Sequence, residues 1–175
     1  IISVSTPGGY NNPLGEINKS WGEVFMGATM ESVLTGYDDP RMSKYYDPAN
    51  GAVITWKEND VVKELPQLFE YAGSYKGIPQ GTGLLSADNR YKECSKSTVS
   101  QKTNPILMTA AEVWFLRAEA ALRGISTEDP KICYETGVKT SFEQWGVGGV
   151  DAYLQSDKTP ADYKDPFYTQ FDMNA

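Results

Sequence analysis

The chain has 175 residues, with 16 Lys and Arg against 23 Asp and Glu and no histidine. A net charge of −7 disfavours nucleic acid and anionic membrane surfaces as partners, because both call for clustered Lys and Arg. Without histidine the chain can hold no Ser-His-Asp triad, no Cys-His dyad and no His-ligated zinc, which leaves carboxylate chemistry, oxygen-ligated cations or plain binding. Hydrophobic and charged fractions of 40% and 22% are those of a globular domain. No run approaches the ~18 apolar residues of a membrane span, and Ile1-Ile2-Ser3-Val4 lacks the basic start of a signal peptide, so the opening reads as a mature or excised segment. Cys94 and Cys133 are too few for a zinc ribbon or a disulfide scaffold; they form either one bridge or two small apolar fillers. No cofactor is expected.

Three zones follow along the chain. Residues 1–36 open with the turn-rich Thr6-Pro7-Gly8-Gly9-Tyr10-Asn11-Asn12-Pro13. A helix is then predicted from about Trp21 to Leu34, firm only from Ala28 because Gly22 and Gly27 weaken its start, with Gly36 as the stop. Residues 37–105 read as loop: Asp39-Pro40, Asp47-Pro48, Asn50-Gly51, Ile78-Pro79 and Gly81-Thr82-Gly83 are all turn chemistry. Ala52 to Trp56 is the best strand candidate, being β-branched and aromatic. Six tyrosines fall in this zone (Tyr37, Tyr45, Tyr46, Tyr71, Tyr75, Tyr91), beside Trp56. A long irregular segment of this kind is usually functional, although each tyrosine can equally pack on a helix with its hydroxyl in water.

Residues 106–175 carry the clearest local signals. Thr109-Ala110-Ala111-Glu112 is a capping box ahead of a helix to Arg123, closed by Gly124. Asp129 then caps a second helix with Pro130 at its first position. Tyr134, Val138, Ser141, Phe142 and Trp145 share one face of it, and Gly146 ends it. Two such helices joined by a short loop predict a helical hairpin, with Ala118 and Ala121 permitting close approach and Trp114 and Trp145 in the core. Trp114, Phe115 and Leu116 point in different directions around their helix, which therefore needs covering on several sides. A short helix is predicted from Val150 to Gln155, and Thr159-Pro160-Ala161-Asp162 resembles another capped start. The tail from Phe167 to Ala175 carries no strong signal.

The stretch from Asn104-Pro105-Ile106-Leu107-Met108 through Ala111-Glu112, Leu116-Arg117-Ala118-Glu119-Ala120-Ala121 and Arg123-Gly124 resembles the signature of SusD-like proteins, the surface glycan-binding lipoproteins of Bacteroidetes. Three further segments match that family in order: Tyr37-Asp38-Asp39-Pro40-Arg41-Met42, Tyr75-Lys76-Gly77-Ile78-Pro79-Gln80-Gly81, and Tyr134 to Val138 with Phe142-Glu143-Gln144-Trp145-Gly146. The resemblance runs from about Asn12 to Lys164 and is closest to the starch-binding, outer-membrane-associating branch. It implies a mainly α fold: an α-α superhelix of tetratricopeptide-like hairpins with long irregular loops and little strand. It also implies that residues 1–175 are an internal piece of one larger domain, with 1–36 a loop plus helix, 37–105 the glycan-facing segment and 106–175 the hairpin and tail. The implied setting is the cell outer membrane, as a surface-exposed lipoprotein anchored outside this chain. Its implied partners are an oligosaccharide or polysaccharide and a TonB-dependent, SusC-like transporter.

Sugars present apolar C–H faces beside rings of hydroxyls, so they are held by flat aromatics flanked by amide, carboxylate and guanidinium groups. The candidate glycan-binding residues are accordingly Trp56, Tyr75, Tyr45, Tyr46, Trp21, Asn89 and Arg90, with Trp56 and Tyr75 as platforms. Non-catalytic glycan binding for delivery to the transporter is the expected function. Two alternatives stand beside it: a helical-repeat adaptor gripping a peptide, and a glycoside hydrolase, for which no carboxylate pair is singled out by spacing. Asp38, Asp39 and Asp47 either gather around a calcium ion or serve as turn and cap residues.

Overall fold

The computed structural model describes residues 1–3, 10–50, 54–65, 73–82 and 89–165. In chain order its elements are β1 (Ile2–Ser3), α1 (Pro13–Trp21), α2 (Ala28–Gly36), α3 (Met42–Tyr45), β2 (Ile54–Glu58) and β3 (Val61–Leu65). They continue with β4 (Ile106–Met108), α4 (Ala110–Leu122), α5 (Pro130–Trp145) and α6 (Val150–Leu154). The chain divides into two units, one of Ile1–Pro13 with Gln101–Asp157 and one of Leu14–Ser100 with Lys158–Ala175. The turn-rich stretch at 4–9, Ala52 and Val53, Tyr71 and the tail from Phe167 lie outside the described residues.

The first unit is built on the helical hairpin. The Glu112 amide donates to the Thr109 hydroxyl at 3.0 Å while the Glu112 carboxylate accepts from the Thr109 amide, so two of the amides that a helix start leaves unpaired are satisfied reciprocally. Asp129 accepts from the amides of Lys131 and Ile132, Pro130 opens α5, and Gly146 closes it in the left-handed region at φ 61°. Phe115 lies against Tyr134 and Gly137, whereas Arg117, further along α4, reaches back to Glu128 ahead of α5; the two helices therefore run in opposite directions. The close approach centres on Gly137, where a Cβ would come within 2.7 Å of the Phe115 ring, together with buried Ala111 and Ala118. Val138, Ser141 and Phe142 are buried as the periodicity predicts, and full burial of Phe142 contributes about 1.5–3 kcal/mol. Phe142 also stacks at 5.1 Å on Tyr153, which ties α6 to α5.

The tryptophans depart from expectation. Trp114 and Trp145 are half-buried rather than core, and Tyr134 stays 52% exposed. The Trp114 ring instead serves as a platform for the Arg117 guanidinium, 3.8 Å from its centroid, which pairs in turn with Glu128. Around it Leu116 and Leu122 are exposed at 53% and 76%, the helix surface that its all-round apolar sequence leaves uncovered.

The second unit holds the irregular middle of the chain. The helix predicted from Trp21 is two helices: α1 ends at Trp21 because Gly22 turns left-handed at φ 65°, and α2 begins only at Ala28. Between them Met26 is fully buried, donating its amide to Ser95 and accepting from Ile78. Asn18 anchors α1 by donating to the carbonyls of Ser97 and Val99 at 2.8 and 2.9 Å. The start predicted at Thr159 does not become a helix. Ala161 instead runs along α2, its amide donating to the Ser32 carbonyl and its carbonyl accepting from the Ser32 hydroxyl, so the groups a helix would use are already paired.

Both cysteines are buried free thiols, so the bridge reading falls. Burial pushes the Cys94 thiol up to about 12, and Cys133 is raised for the same first reason. Native protein treated with iodoacetamide at pH 8 is therefore expected to retain both thiols and to alkylate fully only in denaturant. Rapid native labelling of Cys94 contradicts its burial.

Candidate functional site

All seven candidate binding residues lie in the second unit. β2 and β3 form an antiparallel hairpin across Asn59-Asp60, both left-handed at φ 51° and 63°, the geometry of a two-residue turn whose twist matches the strands. Its register sets Trp56 opposite Lys63. Lys63 Nζ pairs with Glu58 Oε2 at 2.6 Å, both groups about half exposed. The Glu58 carboxyl sits below its usual range, chiefly through the hydrogen bond and charge of Lys63, then through the charge of Arg90 and a hydrogen bond from the Trp56 indole. Lys63 thus bonds the Glu58 carboxylate directly, while Arg90, 34 positions from Trp56 by number, adds only the pull of its charge.

The other candidates are placed as follows. Tyr45 and Tyr46, at the end of α3, meet edge to face with centroids 6.4 Å apart; both are half-buried, and burial raises the Tyr46 hydroxyl. Their backbone is fixed by Thr98, whose hydroxyl donates to the carbonyls of Lys44 and Tyr45. Trp21, at the end of α1, is 66% exposed. Tyr75 is half-buried on the loop between Ser74 and Ile78. The Asn89 side-chain oxygen accepts from the Tyr91 amide at 2.8 Å, a turn-forming role. The Arg90 guanidinium lies 5.3 Å from the Tyr91 ring centroid.

Glu58 and Lys63 join the candidates through the hairpin geometry, although neither is singled out above. Asn59-Asp60 between two β-branched and aromatic runs is a hairpin signal, and the two-residue register alone puts Lys63 across from Trp56. The calcium reading finds no cage: buried Asp39 pairs with Arg41 at 2.5 Å, Asp38 pairs with Lys158, and no group of three or more ligating residues gathers among the described residues.

An indole, an ionised carboxylate and an ammonium on one hairpin, within reach of the charge of Arg90, offer an apolar plane with an acceptor and a donor at its edge. A mainly helical chain with a tetratricopeptide-like hairpin, little strand and an aromatic loop surface is the class these features define. The profile of the SusD-like family, described as SusD and RagB outer membrane lipoproteins, matches residues 1–175, and the chain belongs to that family. A SusD homologue from Bacteroides vulgatus is 45% identical over 93% of this chain and 30% of its own, with a TM-score of 0.75. A chitin-binding SusD homologue from Flavobacterium johnsoniae is 33% identical over 90% of this chain and 29% of its own, with a TM-score of 0.72. One from Bacteroides thetaiotaomicron is 33% identical over 89% and 30%, with a TM-score of 0.70. No curated protein matches the chain. The chain spans about 30% of the length of these solved structures. Among the described residues no helix is long and apolar enough to cross a membrane.

Proposed function

We propose that the chain is part of a single larger SusD-like domain that binds glycans without cleaving them and passes oligosaccharides to a TonB-dependent, SusC-like transporter. The proposed setting is the outer-membrane surface, as a lipoprotein, which the family description supports. The observation that carries the reading is the hairpin register that sets Trp56 opposite Lys63, with Lys63 paired to Glu58 two positions on from Trp56. The indole plane suits the C–H face of a pyranose, and Glu58 with Arg90 suits a pair of neighbouring hydroxyls. Glu58 lacks the raised carboxyl that the general acid of a glycosidase needs, its own being lowered by Lys63. Tyr75, Tyr45 and Tyr46 extend the proposed surface, with Trp21 and Asn89 in supporting places. The chitin-binding homologue makes chitooligosaccharides the first probe and maltooligosaccharides the second.

Calorimetric titration with both series, with reducing ends assayed in parallel, tests the reading. Saturable binding without new reducing ends is expected. Trp56→Ala is expected to weaken it at least tenfold, the usual cost of truncating a central aromatic contact, while Trp145→Ala leaves it unchanged. Release of shorter sugars contradicts the non-catalytic reading, and full affinity in Trp56→Ala contradicts the platform.

A further inference from the structure

Tyr75 sits on a loop whose next two residues are among the most constrained in the second unit. The Lys76 side chain is 3% exposed, its ammonium 2.8 Å from Glu31 Oε1 on α2 and 4.6 Å from the centroid of the Tyr163 ring. The other oxygen of Glu31 accepts the Gly77 amide at 2.6 Å. The Tyr163 hydroxyl donates to the Gly77 carbonyl at 3.0 Å. Behind them the Lys76 amide donates to the Ser95 hydroxyl and its carbonyl accepts the Ser95 amide, while the Ile78 amide donates to Met26. Gly77 itself has no room for a side chain, since a Cβ would lie 2.7 Å from the Gly27 carbonyl oxygen.

Well-packed apolar side chains hold a loop as stably as a buried ion pair does. What this arrangement adds is direction. One carboxylate fixes an ammonium and an amide together, and a tyrosine from residues 158–165 takes the carbonyl of that same residue. Both backbone polar groups of Gly77 are thereby oriented, two positions after the half-exposed Tyr75.

We propose that Glu31, Lys76 and Tyr163 are positioning residues that preorganise Tyr75 for glycan, a role that rests on the glycan-binding reading above. A platform already ordered before sugar arrives avoids the entropy of ordering it on binding. The variant that isolates the effect is Tyr163→Phe, which keeps the ring over Lys76 and removes only the hydrogen bond to Gly77.

The test compares the wild-type chain with Tyr75→Ala, Tyr163→Phe and the double variant. Its two readouts are amide exchange at Gly77 and Ile78 without sugar, and affinity for the tightest-binding oligosaccharide of the chitin and starch series. Tyr163→Phe is expected to speed exchange at Gly77 and to weaken affinity about fivefold, what one ordinary hydrogen bond is worth. The double variant is expected to bind no more weakly than Tyr75→Ala, a non-additivity that a general loss of stability does not produce. Unchanged exchange in Tyr163→Phe, or affinity losses that simply add, overturns the inference while leaving glycan binding intact. A wild-type chain that binds no sugar of either series overturns the function and this inference together.

Discussion

Gly36→Ala is expected to dislodge residues 158–165 from α2 and to lower stability by about 2–3 kcal/mol, in the range that overpacking a tight contact costs. A Cβ on Gly36 would lie 2.3 Å from the Ala161 nitrogen and the Thr159 carbonyl oxygen and 2.5 Å from the Pro160 Cα. All three are backbone atoms, so no side-chain rotation relieves the clash. The segment must move away, and its movement breaks the paired bonds between Ser32 and Ala161, the ion pair of Lys158 with Asp38, and the bond from the Tyr163 hydroxyl to Gly77. The Tyr91 hydroxyl, buried and donating to Asp165 at 2.9 Å, loses that bond as well. Urea denaturation with amide exchange at Ala161 measures both effects. Gly148→Ala, where nothing lies within 4 Å of the added carbon, is the control and is expected within about 0.5 kcal/mol of wild type. Equal stability of the two variants means that the segment does not lie along α2.

Breaking the Glu31–Lys76 pair is expected to cost more. Lys76→Met strands a carboxylate that is 12% exposed, and Glu31→Gln takes from a nearly buried ammonium the carboxylate charge 2.8 Å away. Removing one partner of a buried pair costs about 3–5 kcal/mol, because the remaining charge keeps its desolvation penalty and loses its compensation. The double variant Glu31→Leu with Lys76→Met is expected to recover part of that loss and not all of it. Both charges are gone, but the Gly77 amide still lacks the acceptor that Glu31 Oε2 supplied, a deficit of about 1–3 kcal/mol. Denaturant midpoints at constant slope across the four chains measure this. A double variant as destabilised as the worse single one contradicts the pairing.

The parts of the fold that were legible are those set by chemistry within four residues. The Thr109 capping box, Pro130 at a helix start and left-handed Gly146 at its end each resolve a terminal hydrogen-bonding problem locally, and each lies where the sequence puts it. α1 was not legible, since Gly15 lies inside it and its anchor is Asn18 bonding to Ser97 and Val99, about 80 positions away in sequence. The Thr159 start was misread for a similar reason: its capping pattern is outweighed by a backbone pairing with Ser32 that no local window contains. In the candidate site, aromatic residues in a loop-rich zone pointed to Trp56 and Arg90. The placing of Lys63 opposite Trp56 depends on the hairpin across Asn59-Asp60, which pairs two strands rather than marking one local run. Tyr91, counted with the loop tyrosines, is instead core at 1% exposure.

Glycan is expected on the hairpin surface around Trp56 and not on the helical hairpin of the other unit. Following the tryptophan indole N–H resonances of the intact chain while titrating chitooligosaccharides and then maltooligosaccharides tests it most directly. A saturable shift of the Trp56 indole is expected, together with the backbone amides of Lys63 and Arg90, while the indoles of Trp114 and Trp145 stay still. Saturable shifts confined to Trp114 and Trp145, with Trp56 unmoved, contradict it.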